Sequence, residues 1–370
     1  MQLTLHVTNN CNLGCDYCFV SRNPERMSQE VAFAAVRLGM EDKTSSGLLF
    51  YGGEPLLERQ LIYDVAEYTK SIKEKSGHTF YYKMTTNGTL LDEDFLKFSQ
   101  QLNLSIGFSH DGPAQDDCRK FLDGKGSASM LAEKIPLLLK YHPYAVGMSV
   151  VDQSTVHKAA DIVEFLFKKG FRYITCNLNY SDDVPWTKDK LQILEAEYKK
   201  MAELYIKWTR AEEKFYLSPF DTKILSHLKG EKYHEDRAKM AKNQPSVAPD
   251  GKVYSSSRFL GNPIYEIGDV FTGIDTEKQN MLYEKGLIPP DSCKDCAILQ
   301  RCNYAYGTLG NDADSGTIDE ISPIQCVHEQ MITPIADYVA EKLYNEGNAL
   351  FIHKHYNELY PVVSLVEDRG

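Results

Sequence analysis

The chain has 370 residues, 42% of them hydrophobic and 25% charged, an ordinary globular composition with room for two domains or for one large barrel with an appendage. Its net charge of −11 argues against a nucleic-acid partner, which needs a basic surface. The absence of any run of about 18 apolar residues argues against a membrane partner. No secretory signal precedes the first motif, so the nine cysteines read as metal ligands in a reducing, cytoplasmic setting rather than as a disulfide framework.

In chain order, short apolar runs alternate with helical patterns, as in repeated β–α units. The expected strands are Leu3–Val7, Leu48–Tyr51, Tyr81–Thr86, Ser105–Ser109, Val146–Val151 and Tyr173–Leu178. Helical spacing of apolar residues marks Leu61–Ile72 and Ala159–Lys169, the second stopped by Gly170. Six such units with parallel strands predict an α/β fold, an open (β/α)6 barrel. A long helix is expected over Lys188–Lys214. The domain boundary is placed near Ser218-Pro219, dividing the chain into residues 1–217 and 218–370. The second part opens with a hairpin over Ser246–Ser257, turning at Asp250-Gly251. It ends in a helix reaching about Glu346, with Pro334 in the first turn and Ile332, Ile335, Tyr338, Val339 and Leu343 on one face.

Chemistry concentrates where the expected strands end. Cys11, Cys15 and Cys18 follow the first strand within Cys-Asn-Leu-Gly-Cys-Asp-Tyr-Cys. Three thiolates so close converge on one centre, and a structural zinc site would need a fourth ligand from elsewhere. An iron–sulfur cluster with three cysteine ligands keeps one iron open, a vacancy that S-adenosylmethionine (SAM) fills in radical chemistry. Gly52-Gly53-Glu54-Pro55 follows the second strand, Thr85-Thr86-Asn87-Gly88 the third, and Ser109-His110-Asp111-Gly112-Pro113 the fourth. Any one of these is a turn by composition. Four in phase lie on the face where β/α barrels carry their chemistry.

The CxxxCxxC spacing with Tyr17 before its last cysteine resembles the signature of the radical SAM superfamily. That resemblance implies a partial (β/α)6 barrel in which Cys11, Cys15 and Cys18 hold a [4Fe–4S] cluster whose fourth iron binds SAM. Reduction then cleaves SAM to methionine and a 5′-deoxyadenosyl radical. By the same resemblance, Gly52, Gly53 and Glu54 take the SAM amino group, Tyr17 lies by the adenine, Ser109 contacts the ribose, and Arg119 pairs with the SAM carboxylate.

A second cysteine set, Cys293, Cys296, Cys302 and Cys326, is compatible on spacing alone with zinc or with an iron–sulfur cluster. Beside the first motif it resembles the C-terminal SPASM extension of peptide-modifying enzymes and anaerobic sulfatase maturases, which implies one auxiliary [4Fe–4S] cluster. Where that family carries further cysteines for an inner cluster, this chain has Ser255, Ser256 and Tyr306. The inner cluster is therefore expected to be absent. Cys118 and Cys176 stand alone and read as small buried hydrophobes.

The resemblance implies a peptide maturase that abstracts hydrogen from a ribosomally synthesised peptide, giving a cross-link, dehydrogenation or epimerisation. Its partners would be the peptide and an external electron donor of flavodoxin or ferredoxin type; because the chain starts at the barrel, either a separate leader-binding protein recognises the leader or the barrel and extension bind it themselves. The alternatives are sulfatase-type oxidation of a cysteine or serine, a small-molecule radical dehydrogenase, and a non-catalytic iron–sulfur redox protein, against which the Gly-Gly-Glu run speaks. Asp182, Asp183 and Asp221 are candidate bases by location only, and each reads first as a solvated or capping residue. Tyr306 and Cys118 are weaker candidates for the hydrogen donor.

Overall fold

The computed structural model describes residues 1–41, 44–180, 185–229, 241–242, 244–303 and 321–360. Its strands are β1 (Gln2–Thr8), β2 (Leu13–Cys15), β3 (Ser45–Gly52), β4 (Thr79–Thr86), β5 (Ser105–Ser109), β6 (Arg119–Phe121), β7 (Val146–Val151), β8 (Tyr173–Leu178), β9 (Tyr216–Ser218), β10 (Ser246–Val247), β11 (Lys252–Tyr254), β12 (Glu266–Asp269) and β13 (Gly273–Ile274). The principal helices are α1 (Gln29–Gly39), α2 (Arg59–Ser76), α3 (Glu93–Gln101), α4 (Ala128–Tyr141), α5 (Ala159–Lys168), α6 (Lys188–Arg210), α7 (Phe220–Lys229), α8 (Thr276–Gly286), α9 (Pro323–Asn345) and α10 (Ala349–Tyr356). Among the described residues no helix is long and apolar enough to cross a membrane.

Eleven strands form one sheet in the order β13-β12-β11-β10-β1-β3-β4-β5-β7-β8-β9. From β10 through β1 to β9 every neighbouring pair is parallel. The strands from β10 to β13 pair antiparallel. The fold is the α/β partial barrel that the six β–α units predict. Its sheet stays open, with β9 and β13 at the edges, and it runs without a break across position 217.

The strands alternate rather than reading as continuous apolar runs. Leu3, Leu5 and Val7, Leu48 and Phe50, Met84, Ile106 and Phe108 point under the helices and are buried with Val36, Ile62, Val65, Phe95 and Ile162. The intervening residues, Thr4, His6, Thr8, Tyr51, Lys83, Thr85 and Ser109, share the other face. Strand register places Leu49, Val146, Met148 and Val150 among them, so this face mixes polar and apolar side chains where the face under the helices is apolar.

Helix starts follow local capping. Ser28, Asp92, Thr187 and Asn348 accept from the backbone N–H three residues on, at the starts of α1, α3, α6 and α10. Three expectations are corrected. The long helix ends at Arg210 rather than Lys214, because Glu212 adopts φ 59° and turns Phe215 back against Tyr205 and Trp208. Pro334 lies inside α9, not in its first turn, where Pro323 stands instead. Exposure of Pro334 leaves the unmatched carbonyl of the preceding turn on the solvent side, where the interruption is tolerated. Tyr338 is 48% exposed and lies off the buried face of α9, which is made of Ile332, Ala336, Val339 and Leu343.

Candidate functional site

The C-terminal ends of β1, β3, β4 and β5 bring the sequence motifs together. The loop after β1 carries Cys11, Cys15 and Cys18, and β2 within it pairs with β6, placing Cys15 opposite Arg119. Gly52 and Gly53 press against the backbone entering that loop. Gly53 N–H donates to Thr8 O (2.8 Å) and Glu54 N–H to Asn10 O (2.9 Å). A Cβ at Gly53 would lie 2.1 Å from Asn10 O, and one at Gly52, where φ is +133°, 2.1 Å from Thr8 O. Both positions need glycine because two backbones touch there.

Glu54 is fully buried. Its carboxylate accepts from Leu56 N–H (3.0 Å), Thr86 Oγ1 (2.7 Å) and Asn87 N–H (2.8 Å), joining the end of β3 to the end of β4. Burial pushes it up to about 7, opposed by these hydrogen bonds. Asn87 in turn points Nδ2 at Cys11 Sγ (3.8 Å) and donates to Asn12 Oδ1 (2.9 Å), while Leu13 N–H donates to Cys11 Sγ (3.4 Å).

On the other side of the loop stands a buried ion pair. Arg119 donates through Nε (2.8 Å) and Nη2 (3.3 Å) to Asp111, which also accepts from Val150 N–H (2.9 Å) and from the Tyr17 hydroxyl. The Arg119 guanidinium lies 5.2 Å from the Tyr17 ring centroid. Asp111 thereby ties Tyr17, β6 and β7 to one carboxylate. Ser109 ends β5 half-buried, at the same end of the sheet. The sequence reading assigned no role to Asp111 or Asn87, although both stand in runs that it placed on this face.

The three sulfurs sense one another electrostatically. Burial pushes the Cys15 thiol up to about 11, while the Arg119 guanidinium pulls it down. Burial raises Cys11 as well. In the C-terminal half, Cys293, Cys296 and Cys326 interact in the same way, and Cys302 is buried. Cys326 lies in the first turn of α9, where Gln330 Nε2 reaches its sulfur at 3.3 Å. Among the described residues, no three His, Cys, Asp or Glu side chains converge on a single metal ion. A [4Fe–4S] cluster takes each thiolate on a different iron, and a set of cysteines with N–H donors aimed at a sulfur fits that group.

Residues 5–185 match the family model of the radical SAM superfamily. The N-terminal half of this chain is a radical SAM domain. Radical SAM domains work with a [4Fe–4S] cluster and SAM, and the matched stretch holds all three loop cysteines, Gly52-Gly53-Glu54 and Arg119. Beyond that domain, the chain is 24% identical to a serine-type anaerobic sulfatase-maturating enzyme of Bacteroides thetaiotaomicron, over 91% of this chain and 90% of that protein. Cysteine-type sulfatase-maturating enzymes are matched over about half of their length, 48% for that of Clostridium novyi. The fold is similar to that of native anSMEcpe with bound AdoMet, at TM-score 0.77 and 20% identity over 94% of this chain and 99% of that one. It is also similar to Streptococcus suis SuiB bound to the precursor peptide SuiA, at TM-score 0.58 and 15% identity over 88% and 75%.

Among the base candidates, Asp221 is buried and accepts from Tyr205, Leu217 N–H and Lys354, with His355 Nε2 3.4 Å away. Such a carboxylate holds α7 and α10 in place. Asp182, Asp183 and Tyr306 lie outside the described residues. Cys118 is buried, as expected of a small hydrophobe, and burial pushes its thiol up to about 12, so it keeps its S–H. Ser255 and Ser256 are buried, and Ser256 Oγ accepts from Arg258 N–H (3.2 Å).

Proposed function

We propose that this chain is a radical SAM maturase that modifies a ribosomally synthesised peptide. Cys11, Cys15 and Cys18 hold the SAM-binding cluster. The backbone of Gly52-Gly53-Glu54, with Tyr17, Ser109 and Arg119, receives SAM. Cys293, Cys296, Cys302 and Cys326 hold one auxiliary [4Fe–4S] cluster. When bound and reduced, the first cluster would supply the one electron that splits SAM into methionine and a 5′-deoxyadenosyl radical able to take a hydrogen atom from a side chain or α-carbon. Asp111 keeps Arg119 and Tyr17 oriented, Asn87 and Leu13 N–H direct hydrogen bonds to Cys11, and the mixed polar and apolar inner face of the sheet receives the peptide. The enzyme would act in the cytoplasm with an external flavodoxin or ferredoxin.

The convergence of the cysteine loop with the Asp111–Arg119–Tyr17 network at one end of an open barrel carries this reading. The test is anaerobic incubation of reconstituted enzyme, SAM and reductant with a short peptide encoded beside its gene, followed by mass spectrometry. Loss of two hydrogens reports a cross-link or dehydrogenation. Deuterium gained in heavy water at unchanged hydrogen count reports epimerisation. SAM cleavage that survives Cys15→Ala overturns the cluster assignment.

A second reading, oxidation of a cysteine or serine in a sulfatase, is favoured by the near full-length match to a sulfatase-maturating enzyme. It predicts loss of two hydrogens from a serine-bearing sulfatase peptide, or, from a cysteine-bearing one, loss of two hydrogens followed by hydrolysis that exchanges sulfur for oxygen with release of hydrogen sulfide, and no change in the neighbouring-gene peptide.

A further inference from the structure

Lys223 on α7 and Glu329 on α9 form an ion pair with side chains 0% and 1% exposed. A buried pair pays a desolvation penalty that apolar residues of the same size avoid, so its place in the fold asks for a positional reason. The surroundings supply one. Lys223 Nζ donates to Arg301 O (2.9 Å), and Glu329 Oε2 accepts from Asn303 N–H (2.9 Å). These are the backbone groups on either side of Cys302. The Arg301 side chain runs back to Asp337 on α9 through two hydrogen bonds, at 2.6 and 2.7 Å, and donates to Lys223 O (3.2 Å). Glu329 stands one helical turn beyond Cys326 on the same helix. One buried pair therefore spans two cysteines far apart in sequence, one in a loop and one on a helix.

We propose that Lys223 and Glu329 are positioning residues that hold Cys302 and Cys326 in register for one shared iron–sulfur cluster. The inference rests on the reading of the C-terminal cysteines as cluster ligands. A loop ligand left to find its geometry must be ordered when the cluster enters. Here Arg301 O and Asn303 N–H are already anchored, so the site is preorganised. The Glu329 carboxylate also places negative charge near Cys326. Its second oxygen, Oε1, is buried with no hydrogen-bond donor among the described residues, so that charge is incompletely neutralised and favours the oxidised cluster.

The test uses the full chain carrying Cys11→Ala, Cys15→Ala and Cys18→Ala, so that any iron–sulfur centre belongs to the C-terminal set. Iron and sulfide per chain, Mössbauer spectra and midpoint potential are measured after anaerobic reconstitution. The inference expects a four-iron cluster in this background. Adding Lys223→Met with Glu329→Leu, an apolar pair of similar size, should convert it to a three-iron centre or lower the iron at least twofold. Adding Glu329→Gln alone should move the potential to more positive values. In the wild-type cysteine background, both variants should keep the N-terminal cluster, which shows that they fold. Absence of iron from the starting background overturns the ligand reading, and this inference with it. A four-iron cluster of unchanged spectrum and potential in both variants overturns the inference alone.

Discussion

Asp111 shows how much a single side chain can organise. It is a buried carboxylate with four protein donors, from the cluster loop, from β6 and from β7. Removing its charge strands Arg119, which is buried in the same place, and an unpaired buried charge is among the most damaging of local changes. Asp111→Asn should weaken SAM binding by about tenfold or more, equal to 1.4 kcal/mol or above, as read by equilibrium binding to the reconstituted protein. Unaltered affinity would remove Asp111 from the site. Glu54 makes a different prediction. Its carboxyl titrates near 7 in the fold because of burial, against an ordinary value near 4.3. The fold thus favours its protonated form, so its contribution to stability is present in acid and is lost as pH rises through about 7. Denaturant unfolding should show stability declining by up to roughly 3 kcal/mol between about pH 4.5 and 7.5 from this group, a slope that Glu54→Gln lacks. Neither role was legible in the sequence. A Gly-Gly-Glu run reports a turn and a carboxylate, but not that the carboxylate is turned inward onto Thr86 and Asn87.

At the scale of elements, the cluster loop is held by backbone contact as much as by side chains. Gly53→Ala puts a methyl 2.1 Å from Asn10 O, a backbone atom that cannot step aside without moving the loop. The variant should lose iron from the N-terminal cluster, as measured in a background lacking Cys293, and keep its C-terminal iron, as measured in a background lacking Cys11, Cys15 and Cys18. Helix α9 offers the opposite case. Pro334 sits on its exposed face with no N–H to close the turn, and Pro334→Ala restores that hydrogen bond. The variant should be more stable by about 1–2 kcal/mol, seen as a raised midpoint in denaturant unfolding. Strand positions were readable because their period of two is local, and Ser105–Ser109, Val146–Val151 and Tyr173–Leu178 stand where the pattern put them. The start of α9 was not readable in the same way. Two prolines eleven residues apart, Pro323 and Pro334, both satisfy the rule for a first turn, and only packing against α6 and α7 selects the earlier one.

For the whole molecule, the decisive feature is that β10 joins β1 in parallel, with Thr4 beside Ser246 and Leu5 beside Val247. The C-terminal part thus covers the edge of the strand that leads into the cysteine loop. A chain ending at Lys229 would expose that edge, and unpaired parallel strands template aggregation. It should elute as aggregate in size-exclusion chromatography with light scattering, and a clean monomer would show that β1 is protected by other means. What the sequence by itself determined was the chemistry: three cysteines at CxxxCxxC spacing, a Gly-Gly-Glu run and six alternating strands each depend on near neighbours in the chain. Only the tertiary structure decided which side chains meet. Tyr17 with Asp111, Glu54 with Asn87, and Lys223 with Glu329 are separated by 94, 33 and 106 residues, and no local pattern encodes a contact that exists only once the sheet and its helices have packed.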